Sequence, residues 1–369
     1  MPDQHPLRRP GLAGRSFDRR AALSGLAAAG ALALAGCRTG SGDSASQDPS
    51  AQTGERGEFP RTVAHAFGET TIEQAPQRVA TVSWANQDAA LALGVVPVGM
   101  PTVDFGGNDS GSTDWFDEKL AELGGEAPEQ YSETDGIDFE AIAALTPDVI
   151  LGVYSGLTQE DYDRLSEIAP TVAYPEGTMA FGTSWQDTTR GVGAALGLDD
   201  AAEEIVGELE ARLAETVEQN PVLSGKTFVY GTVDPEAEDE ISIYTSIDNR
   251  PRFLSALEME QAPAVAREEG EEPESFFMTW SPERADELDS DILISWATDE
   301  STREAIGSDD LLRRIPAVAA DRLLLQTDGQ ETLSVSAISP LSLPWALERV
   351  VPQIVSTLEG GQGAESPGA

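Results

Sequence analysis

The sequence has little positive charge. Lys and Arg together number 23 of 369 residues against 65 Asp and Glu, a formal charge of −42, and Lys119 and Lys226 are the only lysines. Phosphate backbones are held by clustered cations, so nucleic acid is excluded as a partner. Histidine is as scarce: His5 lies near the N-terminus, which leaves His65 alone in RTVAHAFGET. A His-based zinc site or a Ser-His-Asp triad would have to be built around that one residue, and a surface or capping role is the expectation for it. Cys37 is the only cysteine, so no intrachain disulfide is possible. The phosphate-loop pattern GxxxxGKS/T and the nucleophile elbow GxSxG are absent, and no GxGxxG follows a first strand. No catalytic residues and no resident metal site are expected. The acidic run EEGEEPE (Glu268–Glu274) reads as a solvated loop.

What is present begins at the N-terminus. SFDRRAALSGLAAAGALALAGC carries Arg19 and Arg20, a short apolar run, then Leu34-Ala35-Gly36-Cys37. The run is too short and too rich in Ala and Gly to span a bilayer, and it reads as a signal peptide over 1–36. Its end resembles a bacterial lipoprotein signal in which Cys37 becomes the lipidated first residue, and the arginine pair resembles a twin-arginine signal. Residues 37–58 are polar and Gly/Ser-rich, a flexible tether. No later segment is long and apolar enough to cross a membrane, so one lipid anchor is the expected membrane contact.

Beyond the tether, short β-branched runs alternate with helical patterns. RVATVSW, VVPVGM and DVILGVY read as strands, NQDAALALGV and TQEDYDRLSEIAP as helices. That alternation predicts βαβ units and a mostly parallel sheet over 59–182. Ser184–Asn220 is helical almost throughout and predicts one continuous connecting helix over 183–221. The alternation then restarts over 222–358 with KTFVYGTV, RFLSALEM, DILISWA and RLLLQTD, ends in a terminal helix PLSLPWALERVVPQIVSTL, and leaves a polar tail over 359–369. One phrase is written twice. DFEAIAALTPDVIL at 138–151 and SPERADELDSDILI at 281–294 align Glu140 with Glu283, Leu145 with Leu288 and Asp148 with Asp291. Two halves of similar build are implied, with a cleft between them as the place for a small ligand.

RVATVSWANQDAALALGVVPVG and GIDFEAIAALTPDVILGVYSGLTQEDYDRLSEIAPTV resemble the opening and middle blocks of the substrate-binding lipoproteins of ABC importers, in the iron–siderophore, haem and cobalamin class. The resemblance covers about residues 60–355. It implies an α/β fold of two Rossmann-like lobes bridged by a single long α-helix, the class III arrangement, acting as a monomer. It implies that Glu140 and Glu283 dock onto arginines of a permease dimer whose ATPases lie in the cytoplasm. At strand ends and loop starts, Trp84, Asn86, Tyr154, Ser155, Trp185, Tyr244, Arg250, Trp280 and Trp296 are the expected ligand-binding residues, with Trp84, Tyr244 and Trp296 foremost. The expected ligand is a ferric siderophore, of hydroxamate type because a tricatecholate would need more arginine. No cofactor is implied, since ferric iron enters only as part of the bound chelate. Haem, cobalamin and a surface scaffold without a ligand are the alternatives.

Overall fold

The computed structural model describes residues 56–237, 240–271 and 273–360; the signal segment, Cys37, most of the tether and nearly all of the tail lie outside them. The chain enters through an antiparallel hairpin, β1 (Arg61–His65) and β2 (Gly68–Ile72). His65 is buried inside this hairpin and not at the surface. Its Nε2 lies 2.9 Å from Thr70 Oγ1 and its Nδ1 accepts the Phe67 N–H, and burial lowers its pKa.

The first lobe follows: β3 (Val79–Thr81), α1 (Asn86–Ala92), β4 (Gly99–Pro101), α2 (Asp114–Leu123), β5 (Glu129–Tyr131), α3 (Phe139–Ala144), β6 (Val149–Gly152), α4 (Gln159–Ser166) and β7 (Thr171–Ala173). The strands form a parallel sheet in the order β5-β4-β3-β6-β7. β3, β6 and β7 are buried at every position, which is why their sequences run apolar without alternation. The helices start on side-chain caps: Thr113, Asp138 and Thr158 each accept a backbone N–H of the first turn.

The expected continuous helix over 184–220 is two helices, α5 (Trp185–Leu196) and α6 (Asp199–Gln219). Gly197 takes a left-handed φ of 73° at the end of α5, the Leu198 N–H returns to the Gly193 carbonyl at 2.8 Å, and Asp199 and Asp200 open α6. Side-chain-free Gly193 then lets α6 lie against α5, since a Cβ there would meet Ala202 at 2.6 Å. The rod between the lobes is α6 alone, 21 residues or about 31 Å. Its Ala202 packs into the first lobe's core, while Val206, Leu209 and Leu213 pack into the second's.

The second lobe comprises β8 (Thr227–Thr232), β9 (Ile241–Tyr244), α7 (Asn249–Ala256), β10 (Glu260–Gln261), α8 (Pro263–Glu269), β11 (Phe277–Trp280), β12 (Ile292–Trp296), α9 (Ser301–Ser308), α10 (Pro316–Ala319), β13 (Leu323–Gln326), α11 (Gly329–Ser336) and α12 (Ser342–Leu358). Its sheet runs β11-β9-β8-β12-β13, with β10 beside β8. β9 is antiparallel to β8 and β11 to β9, so this sheet is mixed where a mostly parallel one was expected. The repeated phrase has the same place in both lobes. Asp148 accepts the Gln77 and Arg78 N–H groups at 2.8 and 2.9 Å; Asp291 accepts the Thr227 N–H at 2.9 Å. Each aspartate thereby ties the start of one central strand to its parallel neighbour, β3 to β6 and β8 to β12. Among the described residues no helix is long and apolar enough to cross a membrane.

Candidate functional site: the seam between the lobes

The lobes meet along a seam with a core of its own. Leu91, Met100, Trp115 and Phe116 from the first lobe pack with Leu333 of α11 and Ala337 just past its end. Polar bonds cross at several points. Ser339 donates to Asp88 at 2.6 Å, Asn249 to the Tyr154 hydroxyl at 3.0 Å, and the Asp114 N–H to Gln330 at 2.8 Å. At one point backbone meets backbone: a Cβ on Gly106 (φ 69°) would lie 2.4 Å from the Gly329 carbonyl oxygen, so only glycine fits. A seam packed this way, with α6 as a stiff strut, limits hinge opening.

Above that core lies a hollow of about 260 Å³, walled by the segments that leave the carboxyl ends of β3, β4 and β5 and closed from the second lobe by Leu333 and Ala337. In open parallel sheets that edge is where ligands bind. Trp84 leaves β3 between Ser83 and Ala85, whose left-handed φ values of 62° and 64° turn the indole outward, 43% exposed. Phe105, 40% exposed, projects from the loop after β4. Its ring meets Trp296 of β12 edge to face at 5.5 Å. Trp296 in turn donates Nε1–H to the Tyr244 hydroxyl at 3.3 Å and lines a second hollow with Asp234 and Asp299. The Arg250 guanidinium stacks 3.8 Å from the centre of the Tyr244 ring, donates to Ser336 Oγ at 3.0 Å and pairs with Asp248 at 2.9 Å. Arg250 is thus held in place with its charge already matched. Burial pushes the Asp248 carboxyl up, against the pull of Arg250.

The nine expected ligand-binding residues divide. Trp84 lines the hollow, while Trp296, Tyr244 and Arg250 lie together on the second-lobe side, joined to it through Phe105. Tyr154 is at the seam too, but buried, its hydroxyl held by Asn249 and its pKa raised by burial. The other four line neither this hollow nor the one beside Trp296. Asn86 is fully buried and clamps two loops, donating to Val82 and Tyr154 carbonyls and accepting the Tyr154 N–H. Ser155 is buried and donates to the Gly152 carbonyl at 2.6 Å. Trp280 is 1% exposed in the second lobe's core, on the sheet face it shares with Val233 and Ile241, and its Nε1–H donates to the Arg284 carbonyl at 3.1 Å. Trp185 packs into the second lobe's other core and borders a separate hollow with Leu213 and Arg252. Sequence reasoning missed Phe105, Trp115, Asp88 and Glu133, which line the hollow. An aromatic followed by Gly-Gly inside a polar loop was the available signal for Phe105. Glu140 and Glu283 are both exposed, each two residues past the cap of a short helix, α3 and the 3-10 helix Pro282–Glu287. Among the described residues no group of three or more His, Cys, Asp or Glu side chains is placed to hold a metal ion.

Two α/β lobes on one long helical strut, with an aromatic-walled hollow where they meet, define a two-lobed ligand-binding protein of the helix-linked class. The chain belongs to the periplasmic binding protein family, whose pattern matches residues 79–327. It is 29% identical to the probable siderophore-binding lipoprotein YfiY of Bacillus subtilis over 54% of this chain and 59% of that protein, less than two thirds of its length. It is 25% identical to the ferric enterobactin-binding periplasmic protein FepB of Escherichia coli over 71% of this chain and 82% of FepB. Among solved structures, Streptococcus pneumoniae PiaA in complex with ferrichrome superposes with a TM-score of 0.75 at 34% identity, over 81% of this chain and 99% of that one.

Proposed function

We propose that this chain is the extracytoplasmic capture component of an ABC importer, binding a ferric siderophore of hydroxamate type in the seam and handing it to a permease. The observation that carries this reading is a hollow walled by Trp84, Phe105 and Trp115 and joined through Phe105 to Trp296, Tyr244 and a single arginine already matched by Asp248. Aromatic faces suit a bulky organic chelate. One neutralised guanidinium does not suit a polyanionic tricatecholate, whereas a neutral or cationic ferric trihydroxamate needs no more. The likeness to PiaA, solved with ferrichrome, supports the same ligand class. Iron is cargo here, carried inside the chelate.

In this reading Cys37, outside the described residues, carries the lipid anchor on the outer face of the cell membrane. The chain works as a monomer. It catalyses nothing itself, and ATP is hydrolysed by the importer's cytoplasmic ATPases. Glu140 and Glu283 present the same acidic knob from each lobe to the two arginine pockets that a two-fold permease offers.

The test is tryptophan fluorescence of the soluble body during titration with a ferric trihydroxamate, a ferric tricatecholate, ferric citrate, haem and cobalamin. Saturable quenching by the trihydroxamate at the lowest concentration is expected. Quenching by haem or cobalamin alone would move the ligand class, and flat traces throughout would leave a surface scaffold as the better account.

A further inference from the structure

The first-lobe side of the hollow is walled by acceptors that lack donors. Asp88 and Gln87, consecutive on α1, are 3% and 7% exposed and both face the hollow. Asp88 Oδ2 accepts the Trp115 Nε1–H at 2.8 Å and the Ser339 hydroxyl at 2.6 Å, while its Oδ1 has no hydrogen-bond partner among the described residues. Gln87 Oε1 is equally without a partner. After β5, Glu133 accepts the Ser83 N–H on Oε2 at 2.9 Å and leaves Oε1 unpartnered. Among the described residues no Lys, Arg or His lines this hollow. A buried acceptor without a donor costs about 1–3 kcal/mol, and more when charged. Three such oxygens in one cavity are the complement of a group that brings positive charge and several N–H donors.

We propose that the hollow formed by Asp88, Gln87 and Glu133 is a subsite for a cationic, N–H-donating arm of the ligand, an ammonium in the simplest case, while the iron-bearing part lies towards Tyr244, Arg250 and Trp296. This rests on the siderophore reading and narrows it to chelates that carry a protonated amine outside the iron shell. The two carboxyls behave as groups that lack such a partner: burial raises Glu133 to about 7 and Asp88 to about 6. An ammonium in the hollow would supply the missing donors to all three oxygens and the missing charge to the two carboxylates.

The experiment compares three ferric complexes of one linear trihydroxamate: ending in a primary ammonium, in the acetylated amine, and in the succinylated amine. The iron shell is identical in all three, and only the arm changes from cation to neutral to anion. On the unsubstituted protein at pH 7.5, acetylation should raise Kd about tenfold and succinylation further, the scale of one charge-assisted hydrogen bond. Glu133→Gln and Asp88→Asn should each shrink that ratio, read within each variant so that any loss common to the three complexes cancels. Acetylated binding also reports that each variant has folded. Equal Kd values for the three complexes, or a ratio unchanged in both variants, would overturn the subsite and leave the siderophore reading standing. Failure of all three complexes, and of every other ferric chelate, to bind would overturn both.

Discussion

Phe105 of the first lobe and Trp296 of the second touch edge to face across the seam, with ring centroids 5.5 Å apart and planes at 76°. Phe105 lines the first-lobe hollow and Trp296 the second-lobe hollow, so the pair stands between the two. Such a contact contributes about 0.5–1.5 kcal/mol beyond the area it buries. A chelate that fills both hollows must lie against these rings. Trp296→Ala is therefore expected to weaken binding of a ferric trihydroxamate about tenfold or more and to remove much of the fluorescence quenching. Unchanged affinity would place the ligand elsewhere.

The buried carboxyls make the fold sensitive to pH in a definite direction. Unfolded, Asp88 and Glu133 titrate at their ordinary values near 4. Folded, burial holds their protons up to about 6 and about 7. Between those limits the native state binds more protons than the unfolded one, so stability falls as pH rises. Each group contributes at most about 3 kcal/mol across the window, at about 1.4 kcal/mol per unit. The chain's net charge of −42 works in the same sense through self-repulsion. The melting temperature is expected to be higher at pH 5 than at pH 7.5. Asp88→Asn should reduce that difference by raising stability at pH 7.5, which self-repulsion alone would not explain.

Much of the architecture was legible from the repeated phrase. Asp148 and Asp291 are written at the same offset because each closes the start of a parallel strand pair, and that backbone task recurs wherever the βαβ unit recurs. Asp148→Ala is expected to lower stability by about 1 kcal/mol, since the two exposed N–H groups it releases turn to water, with no change in ligand affinity. Asp291→Ala should cost as much or more, because Lys226 at 3.1 Å and Arg322 at 3.4 Å also lose their partner. Denaturant midpoints measured beside fluorescence titrations check both.

What was not legible depends on geometry that local sequence does not fix. GLDD at 197–200 reads as a stop followed by an acidic start, but an apolar stripe on both sides made the helix look continuous. At the seam, two left-handed residues decide that Trp84 faces out and Asn86 in, and neither Ser83 nor Ala85 announces such a φ. Trp280 and Trp296 both stand at strand ends. Register across the sheet sets Trp280 on the core face with Val233 and Ile241, while Trp296 meets Tyr244 and Phe105 at the seam, and local sequence does not show that register.

Glu140 and Glu283 carry the last prediction. Both are exposed on the N-terminal turns of short helices, and the capping side chains are supplied by Asp138 and Ser281, not by the glutamates. Removing their carboxylates therefore costs the fold only a weak dipole interaction, a few tenths of a kcal/mol. On the proposed docking role, the same removal takes from the importer the two charges that orient it. Exposed ion pairs contribute about 0–1 kcal/mol each, so a single substitution should slow uptake severalfold, while the double variant loses the matched pair that fixes register on a two-fold partner. Glu140→Ala combined with Glu283→Ala is expected to abolish siderophore-dependent iron uptake by cells while the purified body keeps its affinity and melting temperature. Loss of affinity in the double variant would assign these residues to the ligand site, and undiminished uptake would remove them from docking.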